Sequence, residues 1–300
     1  MLVRAWQVVL TGIGVLGLSL SARVAVAQDL GAPPPDAKKE AAGPDKVKDA
    51  LKIDKTPEGM TASVSAGGLS SSGNSSMVAF TGAGAFDSRY GANGYGASLV
   101  GNYGRSAPPD GEMETSTQNL QGRLRYDRYV LDNASVFLMA TGRHDKFQGL
   151  TFRMNLDPGF KYLFVNHPAS QFWAEAGYDF QYDVRNLDGR RILDDTGMPT
   201  GELLDKTETD HSARVYVGFR HAFNDATALS TGLEYLQSFV ETTRYRLNYD
   251  LLFTAKFWGN LALGVGFQAR YDHAPLPSKE KLDTTSTLSV IYSYSNLLEE

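Results

Sequence analysis

The chain has 300 residues, a hydrophobic fraction of 42% and a formal net charge of −5, which leaves room for one large or two ordinary domains. The acidic balance argues against a nucleic-acid partner, because such a partner favours a basic protein face. The sequence contains no cysteine, which excludes disulfides and thiolate metal sites.

The first segment has the features of an export signal. Arg4 precedes an apolar stretch from Ala5 to Leu20, and Ala25-Val26-Ala27 gives the small-x-small pattern that signal peptidase recognises. A membrane anchor is the alternative, but the apolar run is shorter than the roughly 20 residues that a spanning helix needs. We therefore predict a signal peptide over residues 1–27.

The next segment differs in composition from the rest of the chain. Residues 28–59 contain Pro33-Pro34-Pro35 and mixed charges, with few aromatic residues. This composition predicts a flexible periplasmic linker. We expect a β-barrel over residues 60–295 and a short C-terminal tail over residues 296–300.

From Thr61 onward, apolar and polar residues alternate in short runs separated by Gly, Asn, Asp and Pro, which is the period of a strand. Between positions 244 and 257, for example, the apolar face carries Tyr245, Leu247, Tyr249, Leu251 and Phe253, and the opposite face carries Arg244, Arg246, Asn248, Asp250 and Lys256. About twelve runs are found, starting near residues 61, 77, 94, 118, 134, 151, 170, 208, 226, 243, 260 and 283. The Gly- and Ser-rich runs between 61 and 105 have no clear register.

The predicted connections are alternately short and long, as in bacterial outer-membrane barrels. The long ones are residues 106–117, 185–207 and 274–281. Twelve strands with an apolar face inside would leave an unfilled hole, whereas an apolar face outside would meet lipid. We therefore predict an all-β fold: a closed, transmembrane, antiparallel up-and-down barrel in the outer membrane of a Gram-negative bacterium. A periplasmic β-sandwich is the alternative.

Two stretches resemble a known family. Arg143-His144-Asp145-Lys146-Phe147-Gln148-Gly149-Leu150-Thr151-Phe152-Arg153, followed by Pro158-Gly159-Phe160-Lys161-Tyr162, is similar to the central region of the bacterial salt-induced outer membrane protein family, a domain of unknown function. Ser72-Gly73-Asn74 and Glu175-Ala176-Gly177-Tyr178 also resemble it. The resemblance spans residues 61–294 and implies an outer-membrane barrel of undetermined role. Such barrels often end on an aromatic residue, whereas here Tyr294 is followed by six more residues.

Catalytic, cofactor and metal sites are not expected. His211 and Ser212 are adjacent and would point to opposite faces of one strand, which argues against an outer-membrane lipid hydrolase. Gly264-x-Gly266-x-x-Ala269 matches a dinucleotide fingerprint as text but lies within a strand. The acidic segment 183–210 lacks the spacing of a calcium loop and is interpreted as a solvated outer loop. We predict no enzyme activity.

The remaining candidate is the interior itself. The predicted lumen-lining residues are Arg123, Arg125, Arg153, Lys161, Glu175, Asp179, Arg214, Arg220, Glu234, Arg244, Arg246, Asp250, Lys256, Arg270 and Asp272, together with Asp127, Asp157 and Asp183. These charges suit a passive porin-like channel for small polar or charged solutes, and they equally suit a closed structural or stress-related barrel whose charges pair across the interior. Expected partners are outer-membrane lipid, lipopolysaccharide and the barrel-insertion machinery. The sequence leaves the oligomeric state open.

Overall fold

The computed structural model describes residues 58–71, 76–108, 111–194, 197–277 and 279–297. The predicted signal peptide and residues 28–57 of the predicted linker lie outside the described residues. No helix in the described part of the chain is long and apolar enough to cross a membrane.

Twelve of the strands in these ranges form one closed antiparallel barrel, which confirms the predicted fold class. In chain order the strands are β1 (Gly59–Ser71), β2 (Ser76–Tyr90), β3 (Asn93–Ala107), β4 (Glu114–Leu131), β5 (Ala134–Asp145), β6 (Leu150–His167), β7 (Ser170–Arg185), β8 (Arg191–Leu193), β9 (Pro199–Leu203), β10 (Thr207–Ala222), β11 (Thr227–Ser238), β12 (Tyr245–Trp258), β13 (Leu261–Asp272) and β14 (Leu282–Leu297). All except β8 and β9 belong to the barrel. Each barrel strand pairs with its neighbours along the chain, and β1 pairs with β14 to close the ring.

The predicted strand starts are close to the observed ones. The largest difference is at β4, which was expected near residue 118 and begins at Glu114. The last strand runs to Leu297, two residues beyond the predicted end of the barrel at 295.

One element was not expected. Within the connection between β7 and β10, predicted as a solvated loop, β8 and β9 form a two-stranded sheet that pairs Arg191 with Leu203 and Leu193 with Pro199. The turn between them is held by the backbone N–H of Met198, which donates to the side chain of Asp194 at 2.9 Å. A short 3-10 turn, Asp188–Arg190, precedes this hairpin.

The connections differ in length at the two ends of the barrel. At the end that we call the short-turn end, the strands are joined by residues 91–92, 132–133, 168–169, 223–226 and 259–260. At the opposite end, the long-loop end, they are joined by residues 108–113, 146–149, 186–206, 239–244 and 273–281. β1 begins and β14 ends at the short-turn end, which agrees with the predicted sorting of short and long connections.

The two faces of the barrel wall have inverted polarity. Large apolar side chains point outward and are exposed: Leu124 by 65% and Leu288 by 62% of their area. Carboxylates point inward and are covered, with Asp179 exposed by 2% and Asp183 by 1%. A protein folded in water buries its apolar side chains instead. The lumen is therefore the polar interior of a barrel with an apolar surface.

Candidate functional site

The lumen carries a chain of ion pairs near its middle. The carboxylate of Glu175 on β7 lies between two arginines, 2.8 Å from Nη1 of Arg125 on β4 and 2.9 Å from Nη1 of Arg214 on β10. Nε of Arg214 also contacts Glu234 at 2.6 Å, and Nε of Arg125 contacts Asp127 at 2.7 Å. Because Glu175 and Arg214 are almost fully covered, their mutual pairing offsets the cost of removing both charges from water.

A second network lies closer to the long-loop end. Arg153 on β6 donates two parallel hydrogen bonds to Asp183 on β7, at 2.7 and 2.6 Å, which is the bidentate geometry that guanidinium and carboxylate groups favour. Arg246 reaches across from β12 and donates to the side-chain oxygen of Gln181 at 2.5 Å. Its other terminal nitrogen lies 3.6 Å from Asp179. In the sheet, β10 and β11 lie between β7 and β12, so this contact bridges three strand spacings on the inside of the lumen.

Further pairs border the long-loop end. Arg143 contacts Asp145 at 2.7 Å on the same strand. Glu208 on β10 forms one ion pair with Arg244, at 3.0 Å, and another with Arg185. These three groups of ion pairs occupy the inner faces of β4 to β7 and β10 to β12, which we call the charged wall.

Aromatic side chains stand below the charged wall on the short-turn side, each against a glycine. The ring of Trp173 occupies the space where a β-carbon on Gly218 would lie, and the ring of Tyr216 does the same at Gly232. Lys161 lies over the Trp173 ring at 5.1 Å, a distance suited to a cation–π contact. The glycines let these rings lie along the wall.

The middle of the opposite side of the lumen is lined by small side chains. Outward-pointing Val64 and Leu288, which are 60% and 62% exposed, place their neighbours in the chain on the inner face. These inner positions, which we call the neutral wall, are Ser63, Ser65, Thr81, Ala83, Ser98, Thr287 and Ser289. They are partly exposed rather than covered, so open space lies against this wall.

A cavity of about 140 Å³ opens in the long-loop half of the lumen. Its lining includes Arg123, Arg143 and Arg270 from the barrel and Leu276 from the connection 273–281. This connection lies across the mouth, where the side chain of Leu276 reaches Gly149. The mouth is further tied by Gln148, whose amide donates to Asp283 at 2.9 Å.

Most of the predicted lumen residues meet in these networks. Arg125, Arg153, Glu175, Asp179, Arg214, Glu234, Arg244 and Arg246 belong to the charged wall, as do Asp127 and Asp183. Arg123, Asp157, Arg270 and Asp272 line the cavity, and Asp250 accepts a hydrogen bond from Gln268. Lys161 lies beside Trp173. Arg220 and Lys256 lie apart from the others near the short-turn end, where Lys256 is exposed.

Several lumen residues were missed by the sequence interpretation. Arg143, Asp145, Arg185 and Glu208 lie at strand ends, where the alternation is too short to assign a face. The i, i+2 spacing of Arg143 and Asp145 was the available signal, because residues two apart share a face of a strand.

Two histidines make side-chain contacts with hydroxyl groups on the barrel wall. His211 points outward and shares a hydrogen bond with the hydroxyl of Tyr178, whereas Ser212 is 1% exposed on the inner face. The hydroxyl of Ser170 lies 2.7 Å from Nδ1 of His221, and the His221 ring packs against Phe223. Within the described ranges, no three His, Asp or Glu side chains are grouped to hold a metal ion.

Fold and lumen together define a closed twelve-stranded barrel with an apolar exterior and a charged interior. The chain belongs to the DUF481 family of proteins of unknown function, which matches residues 64–294. Among curated protein sequences none matches it.

Several solved structures are similar in fold. The NanC porin has 12% identity and a TM-score of 0.44, with 79% of this chain and 100% of that chain covered. An outer membrane channel from Pseudomonas putida F1 has 12% identity and a TM-score of 0.43, with 85% and 100% covered. The translocator domain of the autotransporter NalP from Neisseria meningitidis has 13% identity and a TM-score of 0.39, with 83% and 92% covered. At these identities the likeness concerns the fold alone.

Proposed function

We propose that the protein spans the outer membrane of a Gram-negative bacterium and forms a narrow porin-like path for small polar or charged solutes. The inverted polarity of the barrel is the main support for its location in a membrane. An exterior of exposed Leu, Val and Phe side chains would be costly in water and is favourable in lipid, where a closed ring leaves no backbone group unpaired.

Aromatic side chains at both ends of the exterior support the same placement. Near the short-turn end, Tyr162, Phe164 and Phe172 form a chain with ring centroids 5.0 and 5.4 Å apart. Near the long-loop end, Tyr245 stacks on His273 at 4.7 Å. Such rings are enriched where a barrel meets the two membrane interfaces. With the short turns in the periplasm, the long loops would face the outside.

The solute path is supported by the asymmetry of the lumen. Long charged side chains are tied back against the charged wall by ion pairs, and the neutral wall opposite carries only Ser, Thr and Ala at the positions named above. The cavity in the long-loop half of the lumen is lined by side chains of both signs, which favours polar over apolar solutes.

A closed structural barrel is the second candidate, and two observations favour it. The contact of Arg246 with Gln181 and Asp179 projects into the interior between strands three places apart, and the connection carrying Leu276 covers the mouth. Both features narrow the lumen. The choice between the two candidates depends on whether ions pass.

Single-channel recording decides between them. The refolded protein that lacks residues 1–27 is inserted into a planar bilayer in KCl, with a salt gradient to measure the reversal potential. Reproducible current steps support the channel. A protein that is folded, as judged by a heat-dependent shift on electrophoresis, but gives no steps contradicts the channel and supports the closed barrel.

Further proposals concern the processing, expression, surroundings and activity of the protein. Cleavage after Ala27 predicts that the mature protein starts at Gln28, which N-terminal sequencing of the outer-membrane fraction would test. The salt-induced role predicts more protein in cells grown in raised NaCl. We also propose lipid and lipopolysaccharide as surroundings, assembly by the barrel-insertion machinery and no enzyme activity. Phospholipid turnover by the purified protein would contradict the last point.

A further inference from the structure

The cavity in the long-loop half of the lumen has an excess of positive charge. Among the described lining residues, nine are Arg or Lys and six are Asp or Glu. Most arginines of this region have a carboxylate partner: Arg153 has Asp183, and Arg244 has Glu208. The groups available to a further anion are therefore the N–H groups that no carboxylate contacts, including one on Arg143, whose Nη2 already pairs with Asp145.

Five arginines that line the cavity carry a shielded N–H group without a hydrogen-bond partner, namely Arg123, Arg143, Arg244, Arg246 and Arg270. These groups include Nε of Arg123, Nε of Arg143 and Nη2 of Arg270. An unpaired N–H shielded in this way is energetically costly, and more so when the group is charged. Because these side chains line the cavity, a group inside it could accept these hydrogen bonds.

Two carboxylates that attract these arginines, Glu234 and Asp250, already have other hydrogen-bond partners. Glu234 pairs with Arg214 at 2.6 Å and accepts from Asn248 at 2.7 Å. Asp250 accepts from Gln268. Both carboxylates attract Arg123 and Arg270 electrostatically, but neither satisfies the unpaired nitrogens.

The arrangement of the strands brings the three arginines together from two sides. Arg123 on β4 pairs with Thr141 in the sheet, so Arg143, two residues further along β5, lies diagonally beside it on the same inner face. Arg270 extends from β13, and the positive charges of Arg143 and Arg270 repel each other. An anion placed between them would relieve that repulsion and accept the free N–H groups.

We propose that Arg123, Arg143 and Arg270 form a binding site for a small oxyanion, the carboxylate or phosphate group of a solute in the lumen. Guanidinium groups bind such planar or tetrahedral oxyanions through paired N–H donors. The cavity of about 140 Å³ is well above the space that one water needs. This site refines the proposed channel and rests on it for its use by the cell, but its occupancy can be measured without conduction.

The test measures binding of inorganic phosphate, and of acetate in a second arm, to the refolded protein in detergent by titration calorimetry. We expect both ions to bind. In the double variant Arg123→Gln/Arg270→Gln the dissociation constant should rise about tenfold to 100-fold, because charge-assisted hydrogen bonds are lost. The matched control is Lys206→Gln/Arg191→Gln, which removes the same charge from exposed positions in the connection 186–206 and should leave binding unchanged.

A second variant separates the loss of binding from a failure to fold caused by the loss of charge. Arg123→Lys/Arg270→Lys keeps the charge but removes the paired donors, so its binding should also weaken. Failure of the wild-type protein to bind either ion overturns the site, as does unchanged binding in a folded double variant.

Conductance separates this proposal from the channel itself. If ions pass, the Arg123→Gln/Arg270→Gln variant should have a reversal potential shifted towards cation selectivity. Binding without conductance supports the site and contradicts the channel, whereas conductance without binding supports the channel and contradicts the site.

Discussion

The indole of Trp173 fills the space that a β-carbon on Gly218 of the neighbouring strand would need, and the two residues are directly paired in the sheet. A side chain on residue 218 would therefore displace the indole. Gly218→Ala should destabilise the barrel by about 1–3 kcal/mol, the usual cost of overpacking. Urea unfolding in detergent, followed by Trp fluorescence, measures this.

The control for that change is Gly82→Ala on the outer face of β2, where a β-carbon would meet no atom within 4 Å. We expect stability there to change by less than about 0.5 kcal/mol. An equal loss at both positions would mean that the effect comes from the backbone and that Trp173 is not involved.

Glu175 holds the central ion-pair chain together. Glu175→Gln removes the charge shared by Arg125 and Arg214 in a site where Glu175 is 2% exposed. We expect a loss of about 3 kcal/mol in unfolding free energy, because two guanidinium groups lose a buried counter-charge. The same change at exposed Glu202 in β9 should have almost no effect. Unchanged stability of Glu175→Gln would contradict this prediction and would show that water solvates the two guanidinium groups instead.

The proposed lipid-facing exterior makes a prediction at Leu124, which is 65% exposed. Leu124→Arg should lower the stability of the barrel in lipid vesicles by about 2–4 kcal/mol, the cost of a cation near the middle of the membrane. Leu187, which is 55% exposed in the connection 186–206, offers a matched control, and Leu187→Arg should be tolerated. A stable, well-inserted Leu124→Arg protein would contradict the membrane placement.

The neutral wall predicts where the lumen can be blocked. Ser65 points inward and its neighbour Ala66 points outward. Ser65→Trp should reduce single-channel conductance by about half or more, because an indole would enter a narrow polar path. Ala66→Trp adds the same side chain on the lipid side and should leave conductance unchanged. Equal conductance in both variants would place the path elsewhere in the lumen.

Some parts of this fold were readable from the sequence and others were not, for physical reasons. In β12 an apolar face lies opposite a charged face, so the strand and its inner residues Arg246 and Asp250 follow from the alternation. In β1 to β3 both faces carry Gly, Ala and Ser. Pairs such as Ser63 with Ala85 therefore leave no pattern from which to assign a register.

The contacts within the candidate site could not be predicted from the alternation of apolar and polar residues. Arg246 and Asp179 meet inside the lumen from strands that are distant in the sequence, and their distance depends on the tilt and stagger of the whole barrel. The pairing of Arg125 with Glu175 has the same origin. Alternation shows that these side chains share the interior, and only the closed ring shows which of them meet.

The barrel closes between the two ends of the chain. Pairing of β1 with β14 runs from Gly59 and Leu297 to Gly67 and Ser289, so the ring remains an open sheet until β14 is in place. Contacts between residues so distant in sequence form slowly. Until they form, the unpaired edges of β1 and β14 are prone to aggregation. The seam is thus the last contact of the barrel to form, since no described strand upstream of β14 can complete the ring.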